Sequence, residues 1–386
     1  MNLECKVQYY DWGSRDPNCQ VYTLSKQNEP RNACQVCDGK LLKPHAEFWV
    51  GTHVNGPSIV KKFETPLHEY LAKNPEKLGQ KILDKFGTTD MPFLLKVLSV
   101  SKPLSIQAHP NKSHAEVLHA TYPDLYKDPN HKPEMIIPLT KFQMLRGFRP
   151  IHNIKHFLKI VPELRTVLGP EVSDQLLNCC LEDGEEALKK AYRTLMTASP
   201  EVITQALDSI LARVANLDEA SRGACQADLL ETLHSHFPGD VGCLSIYFLQ
   251  DYTMEPGEVA FLPANMIHAY LSGECVEIMA CSDNVVRGRL TPKHKDVETL
   301  WEMLDYSTPD SQSPNFDKIA IADHCVKYVP HGIEDFSIIH IKVILENFIL
   351  NIFLNDSIVI VDIFSIWPEK LVNSLNFFDH SLLAKK

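Results

Sequence analysis

Met254-Glu-Pro-Gly-Glu-Val-Ala-Phe-Leu-Pro-Ala-Asn-Met-Ile-His-Ala-Tyr270 is the stretch on which the fold turns. A Pro-Gly turn leads into a short apolar strand, a second proline-containing turn follows, and a histidine starts the next strand. Proline and glycine at these places supply turn geometry and break any helix. The pattern recurs in double-stranded β-helix barrels, jelly-roll relatives that carry metal ligands on inward-facing strand positions. His268 is the ligand this stretch would offer. Taken alone, the favoured reading is an ordinary half-buried, hydrogen-bonded histidine after a turn.

Its partners lie upstream. Gln107-Ala-His109-Pro110 is followed by His131-Lys132-Pro133-Glu134. On a strand, Gln107 and His109 point to one face. Glu134 can return on a neighbouring strand. An amide oxygen, an imidazole nitrogen and a carboxylate oxygen suit a catalytic divalent metal with an open position, whereas a structural zinc site is more often cysteine-rich and closed. With His268 the candidate ligands number four.

Around these motifs the chain reads as mainly β with an α insert. Before residue 150, short apolar runs at 45–50, 93–98, 103–106 and 134–137 are broken by Pro, Gly and Asn, the pattern of a sandwich or barrel. Helices are expected near 66–74, 76–86 and 113–119, the last introduced by Ser113 and Glu116 as a capping box. From 151 to about 237 the period changes. Ile154, Phe157, Leu158 and Val161 share one helix face; Ala187, Leu188, Ala191, Tyr192 and Leu195 share another. Ile203, Leu207, Ile210, Leu211 and Val214 form a third, behind Ser199 as N-cap and Pro200. Strand character resumes at 242–249. The expected division is 1–150 for the first part of the catalytic barrel, 151–240 for a helical insert without chemistry, and 241–340 for the barrel's continuation with His268 and Arg287. A truncated or diverged segment at 341–386 completes it.

The chain has 386 residues, 44% of them hydrophobic, enough for the cores of two or three domains. A formal net charge of −11 without a long Lys/Arg cluster argues against nucleic-acid and anionic-membrane partners, but not against a small anionic substrate held by local cations. Eleven scattered cysteines, an odd count, do not read as a disulfide framework. Cys34-Gln-Val-Cys37 has the spacing of half a zinc knuckle and no second half. The first residues lack an apolar signal segment, and the apolar run 347–367 carries Asp356 and Asp362, which argues against a membrane span. A reduced, cytoplasmic setting is expected.

The segments Tyr10-Asp-Trp-Gly13, Ala46-Glu-Phe-Trp-Val-Gly-Thr-His53, Lys102-Pro-Leu-Ser-Ile-Gln-Ala-His-Pro110, Asn130-His-Lys-Pro-Glu-Met135, Gly147-Phe-Arg-Pro150 and 264–293 carry a further reading. Together, over residues 1 to about 340, the chain resembles the type I phosphomannose isomerases, a family of zinc-dependent cupin enzymes. The resemblance implies cupin domains with a helical insert, and one zinc ion per chain held by Gln107, His109, Glu134 and His268. It also implies Arg287 in the active site and interconversion of mannose 6-phosphate and fructose 6-phosphate, supplying mannose for GDP-mannose and glycosylation. The partner is then a phosphorylated hexose, and a monomer is expected.

Aldose–ketose isomerisation moves a proton between C2 and C1 through a cis-enediol, with negative charge building on oxygen. A divalent ion held by two neutral imidazoles, an amide and one carboxylate keeps net positive charge to stabilise it. Arg287 can hold the phosphate bidentately or face the enediolate. Lys132, two residues before Glu134, shares its face; a lysine beside a cation has a lowered pKa and suits general-base work. It could instead contact phosphate or a hydroxyl. Asp283 is the rival base, or else a turn residue or a partner of Arg287. Ser105 shares the Gln107 face and is expected to contact substrate. Lys293 is a phosphate ligand by family analogy, or else a solvated surface lysine. Glu277 supports the site from behind or caps a strand edge. His53, His114, His119 and His131 read as hydrogen-bonded or solvated.

Two departures from the family pattern lie near the site. Gly288-Arg289 stands where Ala-Gly is usual, and Met266-Ile267 where Glu-Pro is frequent. A third departure is that no glycine follows Gly332. The first and the third motivate an alternative: a catalytically impaired, metal-binding cupin that binds sugar phosphate or a protein partner, with turnover restored by Arg289→Gly. An iron-dependent cupin oxygenase fits Gln107 and the sugar-phosphate lysines poorly.

Overall fold

The computed structural model describes residues 1–28, 36–180, 182–308, 315–342 and 358–362. Its centre is a ten-stranded antiparallel sheet: β1 (Lys6–Gln8), β2 (Glu47–Val50), β3 (Phe93–Val100), β4 (Ile106–Ala108), β5 (Glu134–Pro138), β6 (Phe142–Phe148), β7 (Leu249–Met254), β8 (Ala260–Leu262), β9 (His268–Ala280) and β10 (Val286–Arg289). The main path runs β7-β6-β9-β3-β2-β1, while β5 joins β8 to β9 and β4 joins β9 to β10.

The thirteen-residue β9 organises everything. From His268 to Ser272 it pairs with β6, meeting β4 at His268; from Gly273 onward it pairs with β3 on one edge and β5 on the other. The change of partners falls at Gly273, whose φ is 108° and where a Cβ would lie 2.5 Å from the Lys141 carbonyl oxygen, so only glycine fits. Side chains from both halves then meet in one core: Leu98 from β3, Ile136 from β5, Phe142 and Met144 from β6, Leu262 from β8, and Tyr270 and Cys275 from β9.

Strand alternation divides inside from outside. Met135 and Ile137 of β5 face outward, with Phe48, Leu95, Val276 and Ile278, under the helix Gln20–Asn28 and a further sheet. That sheet comprises β11 (Phe316–Ala322), β12 (Cys325–Pro330), β13 (Ile338–Lys342) and β14 (Ile358–Asp362), with β14 parallel to β13. Ile106, Ala108, Leu145, Ile267, Ala269 and Val286 face the other way and pack against the helices of residues 151–236. Phe148 seals this contact, stacked on Tyr306 and edge-on to Tyr192, each at a centroid distance of 5.0 Å. Arg149 ties it down by donating from Nε to the Ile246 carbonyl at 2.9 Å.

The expected helix faces are found in the helices Ile151–Ile160, Gly184–Thr197 and Pro200–Val214, with Ser199 accepting from Val202 N as N-cap; Leu211 alone of the named residues is only half-buried beyond the third face. Several expectations are corrected. Residues 242–249 are not a strand: Val241–Tyr247 form a 3-10 helix and β7 starts at Leu249, because an unbroken apolar run has no period to distinguish the two. The helix after His109 is Lys112–Thr121, capped by Asn111, which accepts from His114 N, so the Ser113–Glu116 capping box does not form. The strand read at 103–106 is Ile106–Ala108. The helix Gln20–Asn28 was not expected. Cys34, the apolar run 347–367 except β14, and most of the segment 341–386 lie outside the described residues.

Candidate metal centre

One cross-strand row sets the site. Arg146 of β6 stands opposite His268 of β9, His268 opposite Gln107 of β4, and Gln107 opposite Arg287 of β10. Directly opposed residues share a face, and His109, two residues after Gln107, shares it too. Glu134 enters from β5, opposite Met279 at the far end of β9.

The three ligand types converge. His109 Nε2 is 3.3 Å from Glu134 Oε1, and His268 Nε2 is 3.5 Å from Glu134 Oε2; all three side chains are buried. Candidate ligand atoms of His109, Glu134 and His268 lie within 4.8 Å of one another. Both imidazoles are oriented by backbone carbonyls: Asn284 O accepts from His109 Nδ1 at 2.7 Å and Met266 O from His268 Nδ1 at 2.9 Å. A carbonyl only accepts, so Nδ1 carries the proton and each Nε2 presents a lone pair. Two lone pairs therefore face a carboxylate in a buried interior, and His109 Nε2 has no hydrogen-bond partner. A cation between them resolves this arrangement, and a neutral pair of imidazoles with one carboxylate is a donor set that zinc accepts.

Gln107 joins the ring by position. Its Nε2 is 3.5 Å from His268 Nε2, and its Oε1 accepts from Ser105 Oγ at 2.9 Å. A half-turn of the amide exchanges the two atoms and offers oxygen to the cluster.

Electrostatics follow from burial and charge. Burial, then the Lys132 ammonium, pushes the His109 imidazole down to about 4, and burial lowers His268 as well. Burial would raise Glu134, but Lys132 and His109 hold its carboxyl well below the usual range. Lys132 is itself buried, with Nζ 3.0 Å from Glu134 Oε1, although it lies just ahead of β5 and not on the strand from which its spacing was read.

Behind Glu134 stands a second layer. Tyr270 donates to Glu277 Oε1 at 2.9 Å and reaches Glu134 Oε2 at 3.4 Å. Lys96 Nζ lies 3.0 Å from Glu277 and 3.6 Å from Glu47, and Trp49 Nε1 donates to Glu47. Burial opposes charge on Lys96, yet Glu277 and Glu47 keep it strongly basic. Glu277 is thus buried behind Glu134, not at a strand edge. Tyr270, Lys96, Glu47 and Asn284 were not singled out from the sequence. A charged residue in the apolar strand Phe-Leu-Leu-Lys-Val-Leu-Ser-Val, or a tyrosine two places after His268, was the available signal.

The remaining expected residues surround this core. Asp283 does not pair with Arg287: its carboxylate takes His53 Nε2 at 3.2 Å and Asn55 Nδ2 at 2.8 Å, and the His53 bond lowers its pKa. His119 bonds the Tyr126 carbonyl at 2.7 Å and His131 pairs with Asp335 at 3.0 Å. Arg287 is half-buried and Lys293 exposed, and neither forms an ion pair among the described residues. Lys293 Nζ sits 5.5 Å from the Tyr10 ring centroid. Burial lowers the Arg287 pKa; partial burial of the ammonium and then the charge of Arg287 lower that of Lys293.

Arg289 leaves this group. The register slips between Arg287 and Arg289, so Arg287 opposes Gln107 on the inner face while Arg289 opposes outward-facing Ile106 and donates to the Met196 carbonyl of the helical layer. Gly288 is the extra residue of this bulge. A Cβ there would lie 2.6 Å from Leu300 and 2.9 Å from Met196. The turn before His268 needs no proline: Asn265 holds φ 66°, and its N–H donates to the His109 carbonyl at 2.7 Å, tying one candidate ligand's turn to the other's backbone.

Comparisons with known proteins agree with this architecture. The sequence model of the phosphomannose isomerase type I catalytic domain matches residues 1–151, and that of the family's helical insertion domain matches residues 167–249. Mannose-6-phosphate isomerase of Homo sapiens is 44% identical over 324 residues, spanning 81% of this chain and 75% of that protein. Mannose-6-phosphate isomerase 2 of Arabidopsis thaliana is 39% identical over 350 residues, spanning 84% and 78%. Among solved structures, mannose 6-phosphate isomerase from Salmonella typhimurium, bound to its substrate fructose 6-phosphate and zinc, aligns with a TM-score of 0.71 and 29% identity over 87% of this chain and 81% of that one.

Proposed function

This chain belongs to the type I phosphomannose isomerase family, and we propose that the cluster at His109, Glu134 and His268, with Gln107 beside it, is the zinc centre at which it interconverts mannose 6-phosphate and fructose 6-phosphate. It is an aldose–ketose isomerase with zinc as cofactor. The observation that carries the site assignment is the unpartnered Nε2 of buried His109, aimed with a second imidazole at one carboxylate.

Bound zinc supplies Lewis acidity toward oxygens that gain charge as the enediol forms. The protein's side chains do the rest. Lys132 is our choice for moving the proton between C1 and C2, because its Nζ lies beside Glu134 in the buried interior. Asp283, engaged by His53 and Asn55, holds the loop that carries Asn284, the acceptor for His109. Arg287 and Lys293, free of carboxylate partners among the described residues, take the phosphate, and Ser105 takes a sugar hydroxyl. Tyr270, Glu277, Lys96 and Glu47 fix the Glu134 carboxylate and keep its surroundings from relaxing.

We read the β architecture as cupin domains, divided as 1–150 and 241–340 around a helical insert at 151–240, in a monomeric cytoplasmic enzyme supplying mannose for GDP-mannose. The long inward face of β9, shared by both halves of the sheet, supports the cupin reading. The impaired-enzyme alternative loses the motive it drew from Gly288-Arg289, since Arg289 lies on the outer face with the helices.

The ligand assignment is tested by His109→Ala, Glu134→Gln and His268→Ala, each assayed for bound zinc and for turnover. Each variant is expected to lose most of its zinc and its activity together. Full zinc occupancy in any two of them would discard the assignment.

A further inference from the structure

We propose that Tyr126 and Asp296 form a clamp that fixes the spacing of Arg287 and Lys293 and so positions both cations on the substrate's phosphate; this rests on the isomerase reading above. Asp296 N–H donates to the Arg287 carbonyl at 2.9 Å, closing the base of a loop that runs from the end of β10 and carries Lys293 at its far side. The Asp296 carboxylate is held twice. Tyr126 O–H donates to Oδ2 at 2.6 Å, and Thr299 N–H to Oδ1 at 3.1 Å, where Asp296 also caps the helix Val297–Met303.

The loop is fixed from other sides as well. Leu290 has φ 55° although its side chain is 1% exposed, a conformation a branched residue keeps only when its surroundings enforce it. Lys293 N–H donates to Thr291 Oγ1 at 3.1 Å, and the Lys293 ammonium sits over Tyr10. Tyr126 comes from a different part of the chain, just beyond the helix Lys112–Thr121, and is 3% exposed. Its hydroxyl is the only side-chain donor on Asp296 among the described residues. Removing it frees the loop base while leaving the side chains of both cations in place. Two cations that must meet one phosphate lose affinity when their separation drifts by a fraction of an ångström.

The test uses the zinc-loaded full chain. Tyr126→Phe and Asp296→Ala are compared with wild type for mannose 6-phosphate turnover, for competitive inhibition by inorganic phosphate, and for bound zinc. In both variants KM and the phosphate inhibition constant are expected to rise about tenfold, with kcat within about threefold and zinc unchanged. Asp296→Asn, whose amide oxygen still accepts, should return most of the loss. Unchanged KM and phosphate inhibition in soluble Tyr126→Phe, with only a lower Tm, would overturn the clamp. If wild type itself fails to turn over mannose 6-phosphate, the isomerase reading fails. Calorimetric binding of inorganic phosphate then decides the clamp: weaker binding in Tyr126→Phe upholds it, and equal binding rejects it.

Discussion

At the residue scale, Gly288 and Arg289 show how one backbone irregularity separates two adjacent cations. The bulge turns Arg287 inward and Arg289 outward, so residues adjacent in sequence reach opposite faces of the sheet. Arg289→Gly is expected to keep kcat/KM within about twofold of wild type, with stability lowered by about 1 kcal/mol for the lost bond to Met196. Gly288→Ala is the damaging neighbour: its methyl meets Leu300 and Met196, at a cost of roughly 1–3 kcal/mol, readable as a lower denaturation midpoint. Gln107, His109, Glu134 and His268 were legible because two-residue spacing and turn chemistry predict shared faces. The partners that orient them were not. Asn284 acts through its backbone carbonyl, which any residue could supply, and Glu47 and Lys96 meet only because β2, β3 and β9 lie side by side.

At the element scale, the helices of the insert were read from their apolar stripes, yet one of their bonds is electrostatic. Glu163 in the helix Pro162–Asn178 receives Arg213 from Pro200–Val214 through Nε at 3.0 Å and Nη2 at 2.9 Å. Burial would raise the Glu163 pKa, but the Arg213 fork holds it below its ordinary 4.5. A carboxylate depressed in the folded state adds stability that is complete above the unfolded value and is lost as pH falls through the folded one. Arg213→Ala should therefore cost roughly 2 kcal/mol at pH 7, and that deficit should shrink in melts below pH 4.5. Helix stripes carry no information on such pairs, nor on whether an apolar run such as residues 242–249 coils or extends. Capping is similar: Asn111 takes the cap, two residues before the Ser113 cap that the apolar period indicates.

At the scale of the whole molecule, two layers cover a sheet whose interior is charged. Lys96 and Lys132 share that interior with Glu47, Glu134 and Glu277, two ammonium groups against three carboxylates, all buried. A divalent ion adds positive charge beside Arg146 and Arg287 of the same inner face, as a substrate phosphate requires. Since the unfolded chain offers no such cluster, zinc should stabilise the fold by RT ln(1 + [Zn]/Kd), about 4 kcal/mol at a thousandfold excess over Kd. Chelation should lower Tm accordingly, and added zinc should restore it. The helices between residues 151 and 214 were legible because the hydrophobic period changes there. That the insert seals the back of the ligand-bearing strands was not, because Ile106, Ala108, Ile267 and Ala269 look like any strand core until their partners are known. The most direct test of the central claim is a coupled assay of fructose 6-phosphate formation from mannose 6-phosphate, with zinc per chain measured on the same sample. One zinc per chain, activity abolished by chelator and returned by zinc is the predicted result; undiminished turnover after complete metal removal would contradict it.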